Sequence, residues 1–224
     1  MTSRGARRRK KTAKPDVIKT AVKSQESASK EFSGKLFLIV GPSGSGKGTV
    51  IQDLKYSFPG FVFPVSYTTR EPRDGEEEGQ VYHYVSKPEF ERMIKSGELL
   101  EYAIVHSNNY YGTSKKDIME PLKSGACVIR EVDIQGFHSI KKLVPKENLI
   151  SIFMKVSDEN DLKQRIMRRG KISDAEMEKR MESARRELAQ ANDCNYQVEN
   201  KWGEISKCVG RVEDIVLAEI KNMY

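Results

Sequence analysis

Five large apolar residues in a row, LFLIV at 36–40, are bounded by Gly34 and Gly41 and run straight into GPSGSGKGT at 41–49. A short continuous apolar run between glycines reads as a strand buried on both faces, the habit of parallel sheets covered by helices. TVIQDLKYSF follows as a helix that Pro59 and Gly60 close. Strand, glycine-rich turn and helix together make a phosphate site. The glycines let backbone N–H groups converge, and the helix N-terminus adds partial positive charge. Gly41, Pro42, Ser43, Gly44, Ser45, Gly46, Lys47, Gly48 and Thr49 are therefore the expected nucleoside-triphosphate clamp, with Lys47 reaching the β- and γ-phosphates. The usual signature carries Ser or Thr after the lysine, as a magnesium ligand. Here that position is Gly48, and the hydroxyl arrives one residue late on Thr49.

Two more apolar strands are predicted at 126–133 (ACVIREVD) and 149–155 (LISIFMK), with helical stretches between them. The fold class is α/β: a phosphate-loop core with a mostly parallel sheet, an inserted lobe with a small mixed sheet, and a second, helical insertion, the lid. The core is assigned to 34–60, 114–156 and 191–224. The lobe, 61–113, contains strand-like FVFPVSYTTR, VYHYVS and LLEYAIV, and a capping box at Ser86–Glu89 opens a short helix ending near Gly97. The lid, 157–190, has helices starting near Asp158 and Ser173, with Gly170 expected at the C′ position of the first. Pro121 is expected to kink or shorten the helix after NNYYGTS. Ile205, Val209, Val212, Val216 and Ile220 recur at helical spacing in a last helix over 203–222.

The formal charge of +7 belongs to one end of the chain. Residues 1–30 carry ten Lys or Arg against Asp16 and Glu26, which leaves the remaining 194 residues with a net charge of −1. This basic extension, assigned to 1–33, has too little apolar surface to offset its ordering entropy and reads as disordered. Its RRRKK run at 7–11 suits weak contact with nucleic acid or another anionic surface. No apolar run approaches a membrane span. No apolar signal-peptide core is present, and Cys127, Cys194 and Cys208 form no close pair. A reducing, cytoplasmic compartment is expected.

Other motifs lie outside the loop. SYTTREPR at 66–73 sets Arg70 and Arg73 three apart, a spacing that can clamp a phosphate. Tyr82 follows, then Glu101 in LLEYA, and Tyr111 and Thr113 in NNYYGTS. Glu131 and Asp133 alternate onto one face at a strand end, while Arg130 points the other way. Arg165 and Arg169 stand one helical turn apart, and Arg180 lies on the next helix.

In this order the motifs resemble the guanylate kinases over about residues 35–220. The resemblance implies transfer of the ATP γ-phosphoryl group to GMP or dGMP, with Mg2+, in purine nucleotide metabolism. It gives Arg70, Arg73, Tyr82 and Tyr111 to the GMP phosphate, and Ser66, Glu101, Thr113 and Asp133 to guanine. Of Glu131 and Asp133, one would read the base and the other orient magnesium through water, with Thr49 as a further metal candidate. Arg165, Arg169 and Arg180 would be lid arginines, and Asn200 would help hold adenine. Three departures stand out. Arg130 occupies a normally apolar position, VENKW at 198–202 replaces a more acidic stretch, and Pro121 interrupts a helix. The rival readings are a phosphopeptide-binding module without catalysis and a nucleotide kinase of different base preference.

Overall fold

The computed structural model describes residues 32–105, 109–168, 170, 172–221 and 223. Residues 1–31 of the basic extension and Arg169 lie outside the described residues. In chain order the elements are β1 (Leu36–Val40), α1 (Lys47–Ser57), β2 (Ser66–Thr68), β3 (Tyr82–Tyr84), α2 (Lys87–Lys95), β4 (Leu99–Val105) and β5 (Asn109–Ser114). They continue with α3 (Lys116–Lys123), β6 (Val128–Val132), α4 (Ile134–Ile140), β7 (Leu149–Lys155), α5 (Glu159–Met167), α6 (Asp174–Leu188), β8 (Tyr196–Glu199) and α7 (Ile205–Lys221).

The core sheet has the order β6-β1-β7-β8, and each pairing is parallel. All five residues of β1 are fully buried, because helices cover both faces. Leu36, Leu38 and Val40 pack toward α3 and α4, against Ile118, Leu122, Phe137 and Ile140. Phe37 and Ile39 point the opposite way, toward Val50 and Leu54 of α1 and Val209, Val212 and Val216 of α7. The order reverses at β1, which has β6 on one side and β7 on the other. The crevice outside the carboxyl ends of such strands is where α/β sheets take ligands.

The lobe forms a second sheet, β3-β2-β5-β4, in which β2 pairs parallel with β3 and antiparallel with β5. FVFPVSYTTR supplies less strand than its composition suggests. Val62 makes one bridge to Val128 on the free edge of β6, and β2 then contains only Ser66–Thr68. Pro64 stands between them and brings no N–H to a ladder. Ser86, Asp158 and Ser173 cap α2, α5 and α6 as their sequences predict. Gly170 falls one residue beyond the expected C′ place, because α5 is capped by Arg168. Helix α3 is eight residues long and ends two residues after Pro121. The lid helices share a small core of their own, built on Leu162, Ile166 and Met181.

Lys35, just before β1, donates to the Glu219 carboxylate of α7 at 2.8 Å and to its carbonyl at 2.9 Å. Both ends of the folded body therefore meet at the edge of the sheet away from the loop. Among the described residues, no helix is long and apolar enough to cross a membrane.

Phe153 of β7 is fully buried among these side chains. Phe153→Ala is expected to cost about 3–5 kcal/mol of unfolding free energy, read as a lower urea midpoint.

Candidate active site

The loop after β1 turns on glycines in the left-handed region. Gly46, at φ +95°, is the N-cap of α1 and supplies no side chain to the helix end. A β-carbon there would stand 2.5 Å from Asn200 Nδ2. Asn200 is buried and ties two elements together. Its Nδ2 donates to Ser45 O at 2.9 Å, and its backbone N donates to Lys155 O at 2.8 Å. Lys47 folds back over the loop and donates to Gly41 O at 2.6 Å and Pro42 O at 3.0 Å. Gly48 is different. A β-carbon there would meet nothing nearer than Glu131 Oε2 at 3.8 Å. Gly48 lines the cleft, whereas Thr49 is exposed outside that lining.

The lobe presents its arginines and tyrosines as a connected group. Arg70 pairs with Glu76 at 2.8 Å and lies over the Tyr82 ring at 5.3 Å, and Tyr82 in turn packs edge-on against Tyr111. Glu76 also accepts from Arg73 N at 2.9 Å and from the Tyr84 hydroxyl at 2.8 Å. Those donors, the Arg73 backbone foremost, hold the Glu76 carboxyl down to about 2. Arg73 itself is exposed, with its backbone rather than its guanidinium engaged on Glu76.

Deeper in, Glu101 of β4 and Thr113 of β5 stand opposite each other in register, and Thr113 Oγ1 donates to Glu101 Oε1 at 2.6 Å. Burial pushes the Glu101 carboxyl up, while this hydrogen bond and the charge of Arg130 oppose the shift. Arg130 of β6 reaches across from the core sheet. Its Nη1 donates to Pro64 O at 2.6 Å, and its Nη2 to Thr113 Oγ1 at 3.2 Å and to Ser66 Oγ. The sequence marks Arg130 as out of place but gives it no role, because its partners lie 17 to 66 residues away.

Glu131 and Asp133 open onto the same cleft. Asp133 Oδ1 also caps α4 by accepting from Gly136 N at 2.7 Å. Arg180 of α6 lines the cleft and is held by Glu176 at 3.0 Å. Lys179, Arg186 and Glu187 line it too, and sequence reasoning missed all three. The (i, i+7) spacing of Lys179 and Arg186 from one helix face was the available signal. Burial raises the Glu187 carboxyl, and the charge of Lys47 opposes the shift. Arg165 of α5 is turned elsewhere. It donates to Asn200 O at 2.9 Å and sits over the Trp202 ring at 5.7 Å, with Arg168 over the same ring at 4.5 Å.

Loop, lobe, β6 end and α6 together enclose a cleft of about 980 Å³. A separate cavity of about 340 Å³ lies between Lys141, Ser151 and Cys194 and includes none of these groups. The large cleft is the candidate site because glycine turns and opposite charges converge on it. His83 pairs with Glu78 and His138 with Gln190, both away from the cleft lining.

The family model described as guanylate kinase matches residues 33–219. The chain belongs to the guanylate kinase family. Over 188 residues it is 41% identical to a guanylate kinase of Helicobacter pylori, covering 84% of this chain and 87% of that one. A Clostridioides difficile guanylate kinase is 39% identical over 186 residues, 83% of this chain and 88% of its own. The crystal structure of guanylate kinase from Anaplasma phagocytophilum superposes with a TM-score of 0.66 at 28% identity, over 84% of this chain and 87% of that one.

Within this guanylate kinase family chain, the two loop glycines that flank Lys47 are expected to behave oppositely. Gly46→Ala collides with Asn200 and forces a residue with a β-carbon to φ +95°, so ATP affinity should collapse. Gly48→Ser has room and should bind ATP at least as tightly as the parent. Calorimetric titration of ATP into both variants checks the pair.

Proposed function

We infer that this chain catalyses ATP + GMP ⇌ ADP + GDP. Family membership supports the reaction. The observation that carries the reading at the level of residues is the shared cleft, where the open N-terminus of α1 faces the lobe that holds Arg70, Tyr82 and Glu101. ATP and GMP are the substrates, and dGMP fits the same base contacts because they involve no sugar hydroxyl.

Phosphoryl transfer passes through a loose transition state, so the protein's work is positioning, charge neutralisation and water exclusion. Lys47 and the N–H groups of 41–49 hold the β- and γ-phosphates, with Asn200 keeping the loop in shape beneath the nucleotide. Arg70 and Arg73, with Tyr82 and Tyr111, take the GMP phosphate. Glu76 already occupies Arg70, the Tyr84 hydroxyl and Arg73 N as an acidic group, which is the recognition an anionic oxygen calls for. Arg180 closes over the transferring group with α6, and Arg165 and Arg169 join it as further lid arginines. The acceptor oxygen is already anionic, so no histidine is needed as a base.

Magnesium fits the donor set. Glu131 stands beside Gly48 at the loop, and Asp133 is felt electrostatically at Glu101. One of the two would orient magnesium through water and the other would read the base. Thr49 is turned out of the cleft lining and is the more distant candidate. Among the described residues, no three acidic, His or Cys side chains form a cage. Magnesium needs none, since it keeps waters and takes substrate phosphates as ligands. When bound with ATP it would neutralise charge on the β- and γ-phosphates.

Two experiments test this reading. A coupled assay of ADP release should show turnover with GMP and dGMP and little with AMP, CMP or UMP. Lys47→Met should lower that turnover by about 10²-fold or more while calorimetry still detects GMP binding. A phosphopeptide module would show no turnover in the parent protein. The second experiment concerns base choice. Guanine presents N1–H and its N2 amine side by side, which matches an ionised carboxylate, whereas adenine presents a lone pair at N1. Glu101→Gln should therefore narrow the GMP-to-AMP ratio of kcat/KM by about a hundredfold.

A further inference from the structure

Arg130 is a charged side chain planted in the sheet edge between hydrophobic neighbours, at the junction of core and lobe. Val128 and Ile129 before it and Val132 after it are buried. A guanidinium carries five N–H donors and no acceptor. Nη1 is engaged on Pro64 O, and Nη2 is shared between Ser66 Oγ and Thr113 Oγ1. Nε is buried without a partner among the described residues. Keeping such a group out of water is costly unless charges and hydrogen bonds compensate it. Its Nη2 partners are the hydroxyl of Thr113, which bonds to Glu101, and that of Ser66 on the strand at the other side of β5.

The direction of those hydrogen bonds has a consequence. A hydroxyl has one proton to give. Thr113 gives its proton to Glu101 Oε1 and accepts from Arg130, so it has none left for a purine. Ser66 accepts from Arg130 and retains its proton. With its acceptor side filled, that proton points away from the guanidinium. It is then the hydroxyl donor available to an acceptor such as guanine O6, while the ionised Glu101 carboxylate, with a lone pair left on Oε1 and both on Oε2, can accept from N1–H and the N2 amine. We propose that Arg130 is a positioning residue for purine recognition in this chain, which orients the Ser66 hydroxyl toward the base and commits Thr113 to Glu101. This rests on the reading that the chain phosphorylates GMP.

The electrostatics point the same way. Glu101 must be ionised to accept both guanine donors. Burial works against that, as does the negative charge of Asp133 at the end of β6. The Thr113 hydrogen bond and the positive charge of Arg130 work for it. Burial pushes the Arg130 guanidinium down, and Glu101, Glu131, Tyr82 of β3 and Asp117 of α3 oppose that shift by favouring its charged form. Removing Arg130 leaves Glu101 with only Thr113 against burial, so its carboxyl takes up a proton at higher pH. The acid limb of kcat/KM for GMP should then move upward, by about 1–3 pH units for the loss of one close opposite charge.

The test measures kcat and KM for GMP and AMP, from mildly acid to neutral pH, in the full-length parent, Arg130→Leu and Arg130→Lys. In Arg130→Leu the KM for GMP should rise by about a hundredfold while kcat changes little, and the preference over AMP should fall with it. Arg130→Lys keeps the charge but not the fork. It should restore the acid limb to the parent position while recovering only part of the KM. A parent that does not phosphorylate GMP would sink the underlying reading. A parent that does, beside variants with unchanged KM, base ratio and pH profile, would sink the role of Arg130 alone. Should Arg130→Leu fail to fold, Arg130→Lys decides, because parent-like KM and base ratio in that variant would overturn the proposal.

Discussion

Burial of β1 on both faces is the constraint from which the site follows. Helices must cover each side of a strand with no exposed residue, and parallel neighbours must come back from the far end. With β6 and β7 on its two sides, β1 delivers the chain at the carboxyl edge exactly where the sheet order divides. The glycine loop therefore emerges into a crevice already walled by the ends of β6 and β7. The parts that build the cleft are hung on that edge. Glu131 and Asp133 come from β6, Asn200 from the end of β8, the lid from the end of β7, and the lobe from the segment bridged to β6.

What was legible in the sequence is what short-range chemistry determines. LFLIV reads as a buried strand from five consecutive residues, and Ser86 and Ser173 announce helix starts because a cap bonds to an N–H three residues on. The phosphate loop was readable for the same reason. Length failed where one residue vetoed its neighbours. Pro64 cut FVFPVSYTTR to a three-residue strand, although the aromatic and β-branched side chains around it favour extension. Helix α3 shows the same influence from Pro121.

The site was legible as a set of residue types and much less as a set of contacts. Arg70 and Arg73 looked like equivalent clamps from their spacing, yet one guanidinium is paired to Glu76 and the other stays exposed. Thr49 looked like a substitute hydroxyl, but one residue is a rotation of about 100° on a helix, and Gly48 rather than Thr49 lines the cleft. Arg165 was expected over phosphate and lies against Asn200 O and Trp202. Such pairings depend on partners dozens of residues distant, and no periodicity records them.

The meeting of Lys35 with Glu219 has a bearing on how freely the chain order could be rearranged. The first strand and the last helix of the body are tied together, at the margin furthest from the nucleotide cleft. A short linker between these ends would leave every wall of the cleft in place, while new termini could be opened in an exposed turn such as that around Gly97. The present beginning and end of the body are thus an accident of connectivity. The fold is nearly a closed loop of chain, and a circularly permuted enzyme or a reporter domain inserted at that margin would be as compatible with the architecture as the natural order.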